Sequence, residues 1–221
     1  LVTDLKSADV LAPSLRELKR FRNIAYILGE HREQDFSDAD LVVQNPGVPR
    51  DSRFLAIARE HGVSITSDVG LFLDLLPASR PPLAPPLLGG EERKSGPYII
   101  AVTGTKGKST TSSLIAAMLR RARRPTVLAG NIGVSVLDAL ADITPDTWVV
   151  LELSSWQIEG ISGRSFAPQV AVITNIMADH LDRYSSFEEY AEVKRSLVAL
   201  QGPEGIAVLN ASDARVADAA G

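Results

Sequence analysis

The sequence predicts an α/β protein built on a parallel β-sheet. Short apolar and β-branched runs alternate with helical patterns along most of the 221 residues, as in βαβ units. One unit, residues 99–119, joins an apolar strand to a helix through a glycine-spaced loop. A proline-rich stretch at 77–97 cannot continue a helix or a central strand, and it therefore predicts a domain boundary.

The composition is that of an ordinary globular protein, with 45% hydrophobic and 23% charged residues. The formal net charge of −4 argues against a surface for nucleic acid or for an acidic membrane. The chain has no cysteine, which excludes disulfides and thiolate chemistry and suits a reducing cytoplasm. No apolar run approaches the roughly 18 residues of a membrane span, so we expect no membrane insertion.

The first 78 residues predict four short strands separated by helices. The strands are expected at 1–4, 24–28, 40–43 and 63–65, and the helices near 13–20, at 51–61 and from a cap at Ser67 or Asp68. The chain opens inside a strand and without methionine, so we expect a fragment. The third strand ends in the turn Asn45-Pro46-Gly47, where α/β sheets place ligands, although a mere connection explains the turn equally well.

The loop after the strand at 99–103 predicts a nucleoside-triphosphate site; its residues are Gly104, Thr105, Lys106, Gly107, Lys108, Ser109 and Thr110. The two glycines let backbone N–H groups close on an anion, and the following helix N-terminus adds donors. Lys108 can reach a phosphate, and the hydroxyl of Ser109 or Thr110 can bind Mg²⁺. The alternative is a glycine turn that binds nothing.

Three later strands, at 126–129, 147–153 and 170–174, lead into polar residues. The first ends in a second glycine turn that contains Asn131, and the next ends in Glu152. Because acidic residues at strand ends beside a phosphate loop bind Mg²⁺ in nucleotide enzymes, Glu152 is the metal candidate. His180, between two aspartates after the third strand, is a candidate metal or substrate ligand. A structural role for Glu152 and an exposed, salt-linked His180 are the alternatives.

The helix predicted at 186–200 carries a lysine, Lys194, on its apolar stripe. A lysine directed inward should snorkel, form an ion pair or be chemically altered, because burying a bare ammonium is costly. Snorkelling is the simplest of these alternatives. A last strand is expected at 206–209.

Five features together resemble the Mur ligases of peptidoglycan synthesis: residues 104–110, 130–133, 151–157, 179–184 and Lys194. They occur in the family's order and at similar spacing. The Glu-Leu-Ser-Ser-Trp-Gln segment is most similar to that of the members that add D-glutamate. The resemblance implies a Rossmann-like N-terminal domain (1–78, incomplete), a linker (79–97) and a P-loop ATPase-type parallel α/β central domain (98–221, incomplete), without the family's C-terminal domain.

The activity implied by the resemblance is ATP-dependent addition of D-glutamate to UDP-N-acetylmuramoyl-L-alanine through an acyl phosphate. The implied cofactors are ATP, Mg²⁺ at two sites and a carbamylated Lys194. We expect a cytoplasmic monomer that binds no nucleic acid, and a fragment that is inactive alone. Rival interpretations are another Mur-type ligase, an enzyme similar to folylpolyglutamate synthase, a nucleotide-binding protein that performs no ligation, and a non-catalytic UDP-sugar-binding module.

The resemblance also assigns roles to individual residues. Lys108 would hold the β- and γ-phosphates, Ser109 and Glu152 would bind one Mg²⁺, and His180 and Lys194 would bind the second. Asn131 would help to hold the muramoyl substrate, and His180 is a further substrate-binding candidate. The implied contacts for the UDP group are Asp4, Leu5, Lys6, Asn45, Pro46 and Gly47. Lys106 departs from the family pattern, which usually has asparagine there.

Overall fold

A computed structural model describes residues 1–49, 51–76, 96–133, 135–164, 166–179 and 183–220. The chain forms two compact units, one of Leu1–Gln44 with Val48–Thr66 and the other of Asn45–Gly47 with Ser67–Gly221. The first unit therefore ends earlier in the chain than the predicted linker at 79–97. Most of that linker lies outside the described residues, and the assignment of domains stays a prediction.

The first unit has two small sheets. Its elements are β1 (Val2–Asp4), α1 (Ala12–Leu18), β2 (Tyr26–Leu28), α2 (Gln34–Ser37), β3 (Leu41–Gln44), α3 (Arg53–Glu60) and β4 (Ser64–Ser67). β1 pairs in parallel with β2, and β3 pairs with β4. All four predicted strands are confirmed. The single-turn helix α2 is an addition, and its Phe36 packs near the ring of Phe54, with 5.0 Å between centroids.

The second unit contains a five-stranded sheet in the order β6-β7-β5-β8-β9. Its elements are α4 (Asp68–Leu75), β5 (Tyr98–Thr103), α5 (Lys108–Arg121), β6 (Thr126–Gly130), β7 (Trp148–Glu152), α6 (Ser155–Ile161), β8 (Val170–Ile173), α7 (Phe187–Ala199), β9 (Ile206–Leu209) and α8 (Ala214–Ala217). All four strand pairings are parallel. The predicted α/β class with a parallel central sheet is confirmed.

Alternation along the central strand divides the core of this unit into two layers. Ile99 and Ala101 pack in a cluster with residues of α4, α6 and α7, whereas Ile100 and Val102 pack with Ala116 of α5. Helices therefore cover both faces of the sheet, as a parallel sheet requires. Within the described residues, no helix is long and apolar enough to cross a membrane.

The side chains that α5 buries are not its largest apolar ones. Leu114 and Met118 are 58% and 63% exposed, whereas Ser112 and Ala116 are fully buried. Ile115 and Leu119 pack at the edge of the same layer. The helix thus presents its small side chains to the sheet and leaves two large ones outside.

The order of the strands places the predicted site. The chain leaves β5 for β6 and β7 on one side of it and then reaches β8 and β9 on the other. In an open α/β sheet, the carboxyl ends of the strands at such a reversal form the crevice where ligands bind. The loop after β5 lies at that point.

Candidate functional site

The phosphate loop joins β5 to α5 and depends on two glycines with positive φ angles. Gly104 has φ of 146°, and a Cβ at this position would lie 2.0 Å from Thr174 Oγ1. Gly107 has φ of 77° and immediately precedes α5, but a Cβ there would meet no atom within 4 Å. Only a residue without a side chain fits at Gly104, whereas Gly107 is required mainly for its backbone conformation.

Thr105 connects the loop to the segment after β8 and to α7. Its hydroxyl lies 3.0 Å from the hydroxyl of Tyr190 and accepts a 3.0 Å hydrogen bond from the backbone N–H of Met177. The same hydroxyl lies 3.2 Å from the carbonyl oxygen of Met177. Thr105 is buried, so its side chain anchors the loop and faces away from solvent.

The two loop lysines differ in their surroundings. Lys108 is half-buried, and its Nζ donates to the carbonyl oxygen of Thr105 at 3.0 Å. Burial lowers the pKa of Lys108, while the nearby charge of Glu152 acts in the opposite direction. Lys106 is exposed, and its ammonium lies 3.7 Å from the carboxylate of Asp179. Of the two lysines, Lys108 is therefore the one whose side chain folds back onto the loop backbone.

Glu152 is the last residue of β7 and is 1% exposed. Its Oε1 accepts a long, 3.4 Å hydrogen bond from Asn131 Nδ2, and its Oε2 has no hydrogen-bond partner among the described residues. A buried carboxylate oxygen without a donor is costly. Such an oxygen fits Mg²⁺, which prefers carboxylate and phosphate oxygens as ligands.

The second glycine turn lies directly against Glu152. The backbone N–H of Asn131 donates to the carbonyl oxygen of Glu152 at 3.0 Å. A Cβ on Gly130 would lie 2.1 Å from that same oxygen, so a side chain at Gly130 is excluded. The structure therefore brings Asn131 and Glu152 together, as expected for two strand ends at one edge of a sheet.

Lys194 projects from α7 into the site and is 2% exposed. Its Nζ donates to the carbonyl oxygen of Gly104 at 3.0 Å and lies 4.8 Å from the centre of the Tyr190 ring. Burial, with a smaller contribution from the charge of Lys108, lowers the pKa of Lys194 to about 7. The snorkelling alternative is wrong, because the loop carbonyl and the ring give the ammonium partners inside the protein.

The Ser-Ser-Trp-Gln segment after Glu152 has a clear local role. The Ser154 hydroxyl accepts from the N–H of Gln157 at 3.2 Å, and the Gln157 side chain accepts from the N–H of Ser154 at 3.0 Å. This reciprocal pair is a capping box, and it fixes the start of α6. The segment that carried the resemblance thus also sets the direction in which the chain leaves Glu152.

The remaining predicted residues belong to the first unit, form a local turn or are not described. His180 lies outside the described residues. Asp4, Leu5 and Lys6 belong to the first unit, where the Asp4 carboxylate accepts from the N–H of Lys6 at 2.8 Å. Asn45–Gly47 forms a local turn in which the Asn45 side chain accepts from the N–H of Gly47 at 2.9 Å. The roles assigned to these residues stay predictions.

The sequence analysis missed residues that hold the loop from the side of β8. They are Thr174 and Asn175, whose side chains contact the backbone of Lys106. Their position directly after a predicted strand of the same sheet was a usable signal, because parallel strands end at a common edge.

Comparison with known families gives one match that covers most of the second unit. A family model described as the Mur ligase middle domain matches residues 102–221. The matched range begins in β5 and includes the phosphate loop, Glu152 and Lys194.

Similar curated proteins match almost the whole chain. A UDP-N-acetylmuramoylalanine–D-glutamate ligase of Roseiflexus sp. (strain RS-1) is 43% identical over 210 residues, which are 95% of this chain and 41% of the relative. A protein of the same name from Treponema pallidum (strain Nichols) is 39% identical, over 96% of this chain and 38% of the relative. The chain spans about two fifths of the length of these relatives.

A solved structure shares the fold. The UDP-N-acetylmuramate:L-alanyl-gamma-D-glutamyl-meso-diaminopimelate ligase of Neisseria meningitides superposes with a TM-score of 0.58 at 19% sequence identity. The match covers 98% of this chain and 65% of that protein. At this level of identity, the likeness supports the fold alone.

Proposed function

The chain belongs to the Mur ligase family, and from that premise we propose that it is part of an ATP-dependent ligase that adds D-glutamate to UDP-N-acetylmuramoyl-L-alanine. The similar proteins of Roseiflexus and Treponema bear the name of that activity. The proposed enzyme is a monomer that acts in the cytoplasm.

The observation that carries the proposal is the convergence of three charged side chains on one loop. Lys108 lies within the loop, Lys194 donates to its first residue, and Glu152 ends the neighbouring strand. Enzymes that transfer phosphoryl groups act mainly by positioning the reactants and by neutralising charge. Lys108 supplies positive charge at the phosphate loop, and Glu152 and a carbamylated Lys194 would supply anionic oxygens for Mg²⁺ beside it.

The proposed reaction has two steps. A carboxylate oxygen of UDP-N-acetylmuramoyl-L-alanine attacks the γ-phosphorus of ATP, and the bond from that phosphorus to the ADP oxygen breaks. The product is an acyl phosphate. The amine of D-glutamate then attacks the acyl carbon, the carbon–oxygen bond to phosphate breaks, and the new amide forms with release of phosphate and a proton.

Glu152 and Ser109 are the residues proposed to hold one Mg²⁺. The Oε2 atom of Glu152 fits this role, since it is buried and lacks a donor among the described residues. When bound, Mg²⁺ neutralises charge on the phosphates. Lys108 adds a fixed positive charge toward the β- and γ-phosphates. His180 and a carbamylated Lys194 are proposed for the second Mg²⁺.

Carbamylation of Lys194 is supported by its burial and by its lowered pKa of about 7. A neutral amine carries the lone pair that attacks CO₂; loss of a proton from the nitrogen then leaves an anionic carbamate. An ordinary lysine, with a pKa near 10.4, is almost entirely protonated at neutral pH. The environment of Lys194 therefore favours the modification.

Asn131 is proposed to help hold the muramoyl substrate, and His180 is proposed as a further substrate-binding residue. Asp4, Leu5, Lys6 and the turn Asn45-Pro46-Gly47 are proposed to contact the UDP group. We retain the division into a UDP-sugar domain (1–78), a linker (79–97) and an ATP-binding domain (98–221) as part of the proposal.

The test replaces the 210 matched residues of the Roseiflexus ligase with this chain and measures phosphate release with Mg·ATP. Separate reactions omit the muramoyl substrate, omit the amino acid, or replace D-glutamate with L-glutamate or L-lysine. We expect release only when both substrates are present, and its loss in Lys108→Ala. Lys19→Ala, which changes an exposed lysine outside the loop, is the matched control.

The other outcomes separate the rival functions. Phosphate release without the muramoyl substrate would contradict the proposal and favour a plain nucleotide hydrolase or switch. Release with another amino acid in place of D-glutamate would favour a different ligase of the same family.

A further inference from the structure

Asn175, the second residue after β8, contacts the phosphate loop through three hydrogen bonds. Its backbone carbonyl accepts from the N–H of Thr105 at 2.9 Å. Its side-chain Oδ1 accepts from the N–H of Lys106 at 2.9 Å, and its Nδ2 donates to the carbonyl oxygen of Lys106 at 2.9 Å. The side chain thus binds both polar atoms of one loop residue's backbone.

This two-point contact requires an amide side chain. The N–H of Lys106 needs an acceptor and its carbonyl needs a donor, and the amide of asparagine offers both on one planar group without a change of protonation. Aspartate would lose the donor and would place a negative charge beside the loop. The pairing also fixes which atom of the Asn175 amide is nitrogen and which is oxygen.

The Lys106 carbonyl has a second partner. The hydroxyl of Thr174 donates to the same oxygen at 2.7 Å, so two donors from the segment after β8 hold it. A carbonyl oxygen directed at a phosphate would repel it. Thr174 and Asn175 therefore hold the Lys106 carbonyl oxygen toward the segment after β8 and away from a bound phosphate.

The contacts also determine which backbone donors remain for an anion. The N–H groups of Thr105 and Lys106 are both engaged by Asn175. The N–H groups at the start of a helix have no partner within it, and here they belong to residues 107–110. Those donors lie at the end of the loop where α5 begins.

We propose that Asn175 is a positioning residue of the phosphate loop, holding the Lys106 peptide so that phosphate is bound by the N–H groups of residues 107–110. The inference rests on the proposed function, since it takes the phosphates of a nucleotide as the ligand. It also explains why lysine is tolerated at 106, because the contact uses only backbone atoms and places no constraint on the side chain of that residue.

The first experiment is amide hydrogen exchange of the full 221-residue chain, followed by NMR. In the wild type without nucleotide, we expect slow exchange at both Thr105 and Lys106. In Asn175→Ala, exchange at Lys106 should accelerate, whereas Thr105 should stay protected because its partner is a backbone carbonyl. Thr105 is therefore an internal control for general loosening of the loop.

The second experiment measures binding of Mg·ATP by the same chain with calorimetry and amide chemical shifts. We expect Asn175→Ala and Asn175→Asp to weaken binding roughly tenfold, the effect of losing one to two hydrogen bonds that hold the loop. In the wild type, Mg·ATP should shift the amides of 107–110 more than those of Thr105 and Lys106.

Asn210 offers a matched control. Its side chain donates to the carbonyl oxygen of Thr174 at 2.9 Å, so it holds the same segment without touching the phosphate loop. Its Oδ1 also accepts from the N–H of Ser212 at 3.0 Å, so Asn210→Ala removes two side-chain hydrogen bonds, as Asn175→Ala does. Asn210→Ala should nevertheless change the affinity for Mg·ATP by less than about threefold. A purely structural role for Asn175 predicts equal effects of Asn175→Ala and Asn210→Ala on binding.

The unfavourable outcomes are distinct. Wild-type affinity in Asn175→Ala, rapid exchange at Lys106 in the wild type, or larger shifts at Thr105 and Lys106 than at 107–110 would overturn the inference alone. If the wild-type chain binds no Mg·ATP at millimolar concentration, the proposed function fails, and the inference fails with it.

Discussion

The Nζ of Lys194 donates a hydrogen bond to the carbonyl oxygen of Gly104 at 3.0 Å, which ties a buried side chain of α7 to the first residue of the phosphate loop. The ammonium also lies 4.8 Å from the centre of the Tyr190 ring. Within the part of the chain that the structure describes, one carbonyl and one aromatic face do not replace the water that a lysine normally has around it. This incomplete solvation is the reason for the lowered pKa of Lys194.

The lowered pKa predicts that stability rises with pH. Burial lowers the pKa of Lys194 to about 7 in the folded chain, whereas an unfolded lysine titrates near 10.4. Between these values the unfolded chain binds more protons, so the free energy of unfolding increases with pH. The expected gain from this group between pH 7 and pH 9 is about 2 kcal/mol.

The measurement is urea unfolding of the wild type and Lys194→Met at several pH values, in buffers free of CO₂. Methionine keeps most of the stem and removes the titration, so the difference between the two curves isolates Lys194. A difference that does not change with pH would show that Lys194 titrates normally.

The two loop glycines give a second prediction, because a side chain would clash at Gly104, whereas at Gly107 only the positive φ angle disfavours one. Gly104→Ala would place a Cβ 2.0 Å from Thr174 Oγ1 and 3.2 Å from the backbone of Asn175. We expect a loss of about 3 kcal/mol or more, since the Thr174 hydroxyl must leave the Lys106 carbonyl and the tightly packed backbone of Asn175 must also shift. Gly107→Ala meets no atom within 4 Å and should cost about 1 kcal/mol for its positive φ alone. Chemical unfolding measures both, and equal losses would contradict the prediction.

The sequence predicted those parts of the site that local pattern encodes. The strand, glycine loop and helix are contiguous, Glu152 ends an apolar strand, and Lys194 interrupts an apolar stripe. The contacts of Thr105 and Asn175 were not predictable in this way, because they join segments about 70 residues apart. Those contacts depend on the order of strands in the sheet, in particular on β8 pairing with β5.

Burial on α5 shows a second limit of the sequence pattern. Hydrophobicity alone would select Leu114 and Met118 for the core, yet Ser112 and Ala116 are the fully buried residues. Small side chains at such a contact allow a helix to pack closely against a sheet without leaving voids. Side-chain volume therefore determines which residues of α5 are buried, and hydrophobic periodicity carries no information about volume.

The C-terminus of α5 gives a third prediction. Arg123 has φ of 58°, and its N–H donates to the carbonyl of Arg120 while the N–H of Arg124 donates to that of Leu119. This is a Schellman motif with arginine at the position that favours glycine. Arg123→Gly should raise the free energy of unfolding by about 0.5 kcal/mol, since relief of strain exceeds the added entropy of the unfolded chain.

The control for this change is Arg123→Ala, which removes the same charge and keeps the strained backbone. Thermal unfolding should rank Arg123→Gly above both the wild type and Arg123→Ala. A decrease in stability on introducing glycine would mean that the arginine side chain makes a compensating interaction.

Glu152 gives the last prediction, in which stability and ligand binding change in opposite directions. Its buried Oε2 has no partner among the described residues, so an ionised carboxylate there is unfavourable for folding. Glu152→Gln should leave the free energy of unfolding unchanged or raise it by about 1 kcal/mol. Because the variant loses the charge that suits Mg²⁺, its affinity for Mg·ATP should fall at least about tenfold, and the remaining binding should depend little on Mg²⁺.

Glu159 is the matched carboxylate, since it is paired with Arg183 and the hydroxyl of Tyr184. Glu159→Gln should therefore destabilise the chain by about 1–3 kcal/mol and keep the Mg²⁺ dependence. Calorimetry with and without Mg²⁺, together with urea unfolding, measures both quantities; a destabilised Glu152→Gln that still needs Mg²⁺ would assign Glu152 a structural role.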